Sequence, residues 1–517
     1  MLNTIHAPDR ASLIPTLMLV MTILQGSSFM LTMALRSPVA SGSASAMVTV
    51  LWLLMYVVAT LGLLLSSGLN WATWIVRYRL PLTLVLAGTC FSALWSMDSG
   101  LTIERSIHLV GTTLVAFYLG FTLPLTRILR TSAIVLGLLM VVSIVAALAL
   151  PSLGLVEYEG TIVWAGVLTS KNTLGFWSAV SILLLVSLTF WHTTPLMKAF
   201  YIVLTAASLV CLVFSQSATS LLALVTAASV MIYLHIAFSL RLGMISMIVL
   251  GMLVTGMAGI AFHFIDTAEL IGRSGDLTGR GEVWAQTWAL ILERPLTGYG
   301  YGTIWFPTDA SAWIQRSLTE FTWTVYHAHN GILQVASEIG LPLTAITVFW
   351  IIQQVIEIVY CQYQRQQPGV LFVLGFTIAL LLSNYSEARL LINRDLYWVF
   401  FIALPISMLQ QVTVLQSHSG VFGLPAALPA YNSKQLKVAR EKLEHRRVLK
   451  KRLLKRRDIT VINAKTESQQ TTPANASHSK SAGSSVQNGV TFNGSFINKN
   501  DQTTMQRKLA RRQSKAG

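Results

Sequence analysis

Long apolar runs separated by short polar ones dominate the first 413 positions. Each crossing of a bilayer as a helix takes about 20 predominantly apolar residues. Twelve stretches approach that length, at residues 12–34, 47–67, 80–96, 106–123, 131–151, 172–190, 199–214, 218–238, 242–264, 331–360, 369–384 and 395–413. The pattern predicts an all-α polytopic membrane protein of about 12 transmembrane helices, the third and seventh being the shortest. Between the ninth and tenth helices the apolar rhythm stops over residues 265–328, which predicts one large loop late in the chain.

Positive charge then sets orientation, because cytoplasmic loops retain Lys and Arg during insertion. Alternate loops carry Arg77 and Arg79, Arg127 and Arg130, Lys198, Arg241 and Arg365, so these are expected inside, together with both termini. The opposite set comprises Trp95 to Arg105, Val156 to Lys171, Ile265 to Tyr326 and Tyr385 to Arg394. These are expected outside, and they hold most of the acidic residues and histidine pairs that lie before the tail.

Composition agrees with this class: 53% of the residues are hydrophobic and 11% charged, with a mean hydropathy of +0.60. The net charge of +16 would suit a nucleic-acid binder were it spread through the chain, but residues 1–413 carry only +1 and the tail +15. Within the tail, KQLKVAREKLEHRRVLKKRLLKRR interleaves Leu and Val with basic residues at helical spacing. This predicts a cytoplasmic basic helix over 414–458 resting on anionic lipid in preference to RNA or a partner protein, and no nucleic acid is expected as a partner. Residues 459–517 turn to Ser, Thr, Asn, Gln and Gly and are expected to be disordered. Cys90, Cys211 and Cys361 are isolated and report no redox compartment. The first apolar run reads as a retained anchor, and no internal repeat of the inverted-transporter kind is evident.

Candidate chemistry concentrates between Ser274 and Leu341. There SGDLTGRGEVW, PLTGYGYGTIW and HAHNGILQVASEIGL set Arg280, His327 and His329 among aromatic residues. The run EVWAQTWALILER predicts an interfacial helix with Trp284, Trp288 and Ile291 on one face, Arg280 either anchoring it or serving a site. Trp305, Phe306, Trp313, Phe321, Trp323 and Tyr326 offer flat faces suited to sugar rings, or to a membrane interface. A neutral imidazole beside an arginine is a sound general base, although an interfacial histidine often serves structure alone. Two histidines spaced two apart cannot form an i, i+4 ligand pair on a helix, and no carboxylate cluster completes a metal site, so no metal is expected. Lys171 and Asn172 begin the sixth helix, and Arg105, Glu387, Arg389 and Arg394 border other outer loops. Such a set of cations suits a diphosphate.

At these residues the chain resembles the O-antigen ligase and polysaccharide polymerase family, most closely its exopolysaccharide-polymerase branch of the succinoglycan type. The resemblance covers most of residues 50–413. It rests on WSxDxxLT ending at Arg105, on Lys171-Asn172-x-x-Gly175, on GRxxxW followed by PLxGYGxG, on His329-Asn330-x-x-Leu followed by EIGL, and on the late loop ending at Trp398. Ser99 stands where relatives tend to have Pro.

The resemblance implies a GT-C-like, metal-independent membrane glycosyltransferase that needs no cofactor. It would take a glycan from undecaprenyl diphosphate at the periplasmic face of the inner membrane. Within that implied chemistry Arg280 and His329 are the catalytic candidates, and Lys171, Arg273, Arg389, Arg394 and Asn330 the candidates for binding diphosphate or substrate. The implied partners are the lipid-linked oligosaccharide, membrane lipids, and a chain-length regulator or export machinery. Extension of a cell-surface polysaccharide is the expected activity. Ligation of finished glycan to lipid A core is its rival, and a transporter or flippase is the alternative of another class.

Overall fold

The computed structural model describes residues 13–30, 32, 42–158, 160–190, 194–239, 280–306, 309, 311–318, 325–365 and 368–416. The expected ninth helix at 242–264, Arg273, Phe321, Trp323, the basic helix and the tail lie outside the described residues. The described chain is overwhelmingly helical, as the apolar pattern predicts. In order come α1 (Leu13–Gly26), α2 (Gly42–Ser67), α3 (Asn70–Tyr78), α4 (Leu80–Phe91), α5 (Ser99–Thr122) and α6 (Leu125–Ala149). A two-stranded antiparallel hairpin follows, β1 (Leu155–Tyr158) with β2 (Thr161–Trp164). The chain continues with α7 (Lys171–Thr189), α8 (Pro195–Ser215), α9 (Ala218–Ser239), α10 (Arg280–Glu293), α11 (Ala312–Ser317), α12 (Gly331–Arg365), α13 (Pro368–Ser386) and α14 (Leu396–Gln416).

Eleven of the twelve expected stretches thus coincide with described helices. Among the described residues, seven helices are long and apolar enough to cross a membrane, while α1, α4 and α14 are apolar but shorter. The hairpin is the one departure from an all-helical chain here. Helix α5 begins at Ser99, earlier than hydropathy suggests, because the Asp98 carboxylate accepts the N–H of Leu101 and caps the helix on the polar side of its apolar run.

Helices α7 and α13 are the most enclosed of the seven. At their centre Phe176 and Trp177 pack edge-on and tilted against Phe376, Tyr397 and Phe400. The outer helices instead show a band of exposed aliphatic residues, Leu53, Leu54, Val57 and Leu61 on α2 and Ile202, Val203, Leu209 and Val213 on α8. Such surface is unfavourable in water and at home against lipid tails.

Helix α12 breaks at Gly340, whose φ of 81° and ψ of 166° leave the helical region. A break of this kind strands carbonyls at the end of the preceding turn. The segment after α10 satisfies them: Tyr299 N–H donates to Ser337 O (3.0 Å) and Gly300 N–H to Glu338 O (2.9 Å). In return Leu341 N–H donates to Pro295 O (2.7 Å). A Cβ at Gly340 would lie 2.4 Å from Leu296 O, so only glycine permits this approach. EIGL and PLTGYGYG are therefore two halves of one joint.

A buried bidentate pair locks the opposite end of the bundle. Arg79, between α3 and α4, holds Glu357 of α12 through contacts of 2.7 and 2.8 Å, with the guanidinium almost wholly out of solvent. Breaking such a pair leaves a buried charge, and the cost is about 3–5 kcal/mol when burial is complete. Since Glu357 keeps some exposure, Arg79→Ala is expected to cost less than that and still lower the melting temperature clearly in detergent. An unchanged transition would show that the pair contributes nothing.

Candidate functional site

Four loops expected on one side meet at one end of the helices. Met97 N–H donates to Tyr299 O, the Trp95 indole to Thr297 O, and the Thr102 hydroxyl to Tyr301 O. Arg105 donates to Gly302 O at 2.7 Å and lies over the Phe306 ring, so it holds the loop together. Tyr301, in turn, donates its hydroxyl to Leu391 O in the last loop. Burial pushes the Tyr301 phenol up from its usual range and Tyr299 up to about 12, so both remain protonated donors at neutral pH.

Helix α10 shows which face of the insert is buried. Val283, Thr287, Leu290 and Ile291 are enclosed, whereas Trp288 is 51% exposed and Trp284 half-buried. The expected Trp284, Trp288 and Ile291 stripe is therefore rotated, because the insert forms an apolar core of its own from Val283, Leu290, Tyr299, Ile304, Trp305, Ile314 and Val325. That core removes Trp305 from the candidates for sugar stacking. Phe306 is taken up by Arg105, Trp313 tilts against Tyr299, and Tyr326 remains exposed.

The turn before α12 carries both histidines. Asn330 caps the helix, its Oδ1 accepting the N–H groups of Ile332 and Leu333. Substrate recognition by Asn330 would have to use its amide nitrogen. Gln334 reaches back to accept Ala328 N–H and donates to Glu338. His329 sits at φ 50°, a left-handed backbone that costs a β-carbon residue about 1 kcal/mol or more. The Trp284 indole donates to His329 O at 3.4 Å, and Arg280 is the first residue of α10, one turn before that tryptophan.

Because the two histidines lie on a turn and not on a helix, a spacing of two does bring their rings together, with centroids 4.1 Å apart. Both face Glu387, His327 Nε2 at 3.7 Å from Oε2 and His329 Nδ1 at 4.0 Å from Oε1. The helical-spacing argument against a metal thus fails at this point, since two imidazoles and a carboxylate present ligand atoms within 4.8 Å of one another. Their hydrogen bonding is a better guide. His327 Nδ1 accepts the backbone N–H of His329 at 3.2 Å, so the ring proton belongs on Nε2, the atom a metal would need. Metal-bound histidines ordinarily donate from their second nitrogen.

Glu387 is buried and held from α7, where Asn172 Nδ2 donates to Oε1 at 2.7 Å. Asn172 Oδ1 accepts from Ser217 in the turn between α8 and α9, and Ser217 pairs with Ser220 at 2.8 Å. The glycine of the KNxxG element makes this possible: a Cβ at Gly175 would meet Ser217, Ser220 and Ser215 side chains at 2.7 to 2.9 Å. The polar run SQSATS amid apolar neighbours was the available sequence sign of this wall.

The remaining cations differ in setting. Lys171 Nζ lies 3.4 Å from the Tyr158 ring centre on the hairpin. Arg389 lies over Tyr397, its backbone N–H donates to Asn384, and its buried Nε has no hydrogen-bond partner among the described residues. Asp395 nearby is pushed up to about 7 by burial, opposed by the Tyr397 N–H and Arg389. Arg394 is anchored elsewhere, on Thr49 of α2 and Thr112 of α5.

Residues 202–348 match the family model described as O-antigen ligase. The chain is similar to the exopolysaccharide production protein ExoQ of Rhizobium meliloti (strain 1021), with 26% identity over 274 residues. That alignment takes in 49% of this chain and 59% of the relative, so the chain spans less than two thirds of that protein's length. Both findings agree with the resemblance read from the motifs, and the family match runs from α8 to the first half of α12, through Arg280 and His329.

Proposed function

We propose that this protein polymerises lipid-linked oligosaccharide repeat units into a cell-surface polysaccharide at the periplasmic face of the inner membrane, with undecaprenyl diphosphate as the carrier. The observation that carries the reading is the meeting of His329, His327 and Glu387 with the Lys171-Asn172 element and the Arg389 loop at one end of a membrane bundle.

In this reading the acceptor sugar hydroxyl gives its proton to His329 as its oxygen attacks the donor's anomeric carbon. The bond from that carbon to the diphosphate breaks, and the electron pair leaves with undecaprenyl diphosphate. Negative charge grows on the leaving phosphate, where fixed cations lower the barrier most. Arg280 and Lys171 take that role first, with Arg273, Arg389 and Arg394 as further candidates. The protonated Nε2 of His327 supports chemistry without a metal.

A deletion strain tests the function. It is expected to accumulate single lipid-linked repeat units on the periplasmic leaflet. Full-length glycan stranded on its lipid carrier would contradict polymerisation in favour of ligation, and repeat units trapped on the cytoplasmic leaflet would favour transport.

A further inference from the structure

Glu387 has no part in the chemistry above, yet it is a buried carboxylate shared between two imidazoles. A hydrogen bond from Asn172 orients it. The Ser217 hydroxyl occupies the carbonyl oxygen of Asn172, which turns the amide N–H of Asn172 onto Glu387 Oε1. The two carboxylate oxygens then divide between the rings, Oε2 toward His327 Nε2 and Oε1 toward His329 Nδ1.

The consequences for the two rings are different. His327 is fixed by the backbone N–H at its Nδ1, so its Nε2 proton points to the carboxylate. His329 turns Nδ1 to the same carboxylate, which favours a proton on Nδ1 and leaves Nε2, on the far side of the ring, as the lone-pair acceptor. A base so placed needs a partner that sets its tautomer and stabilises the imidazolium once the proton arrives. At 3.7 and 4.0 Å these are ion-pair contacts and not hydrogen bonds, and catalytic hydrogen bonds often form only when substrate closes a site.

We infer that Glu387, clamped by Asn172 and Ser217, is the positioning residue that holds His329 in its proton-accepting tautomer, with His327 bracing the carboxylate from its other oxygen. This rests on the general-base reading of His329. Among the described residues, the charged and titratable groups that act on the carboxylate are His327 and His329 on the turn before α12, Arg389 in the loop before α14 and Tyr397 at the start of α14.

The test is polymerisation kinetics across pH in detergent or vesicles, on protein checked for amount and monodispersity. Glu387→Gln is expected to lower kcat about 100-fold with little change in KM for the lipid-linked donor. It should also move the acid limb of kcat/KM about one pH unit lower, because the imidazolium loses its counter-charge. Glu387→Asp keeps the charge and should keep the wild-type limb at reduced kcat, which serves as the readout if the Gln variant does not accumulate. In a His329→Ala background Glu387→Gln should cost less than about threefold more, since the pair acts as a unit.

An unmoved acid limb in Glu387→Gln, a shifted one in Glu387→Asp, or multiplicative losses in the double variant would overturn the inference while leaving His329 as the base. Wild-type turnover by His329→Ala would instead overturn the general-base reading, and this inference with it.

Discussion

Replacing His329 by alanine is expected to reduce polymer formation by about 100-fold or more, with normal insertion and an accumulation of lipid-linked repeat units. A positioned general base contributes a factor of about 100 to 10,000 to transfer from a hydroxyl, whose proton must leave as the oxygen attacks. The turn before α12 holds the residue in a left-handed conformation, strain of the kind that clusters at functional sites, although Gln216, Leu391 and Arg394 share it. His327→Ala should be milder, since that ring is tied to the backbone through Nδ1 and braces the carboxylate. Polymer of normal length and amount from His329→Ala would remove the proposed base.

Arg280→Lys carries the second large expectation, a fall in activity of about tenfold or more at unchanged protein level. Lysine keeps the charge but loses the planar fork that binds two oxygens of a phosphate at once. A residue that only anchored α10 at the headgroup level would tolerate the exchange. Measuring polymer yield against protein amount separates the two, and full activity in the Lys variant would assign Arg280 to anchoring.

Sequence periodicity revealed what depends on single helices. The order of eleven of the fourteen labelled helices follows from the twelve apolar runs, and the loops that alternate with those carrying Arg77, Arg79, Arg127, Arg130 and Lys198 interlock at one end. What it missed depends on contacts between distant segments. The break at Gly340 is stable only because residues 295–300 pair with its carbonyls. The buried face of α10 is set by the insert's own core, to which Tyr299, Ile304, Trp305 and Val325 contribute, and its helical pattern alone pointed to the tryptophans.

The site shows the same division. His329 and Lys171-Asn172 stand out in the sequence by residue type and motif. Glu387 does not, because its importance comes from Asn172 215 residues away and from two histidines on a turn. The spacing rule that argued against grouping those histidines assumed a helix where the chain has none.

The most direct measurement is made on purified protein in vesicles, supplied with the undecaprenyl-diphosphate-linked repeat unit as the sole glycan and with excess EDTA. The account predicts a ladder of longer lipid-linked products and one undecaprenyl diphosphate released for each linkage formed. Repeat units that stay single, that elongate only after a divalent ion is restored, or that merely change leaflet would contradict it.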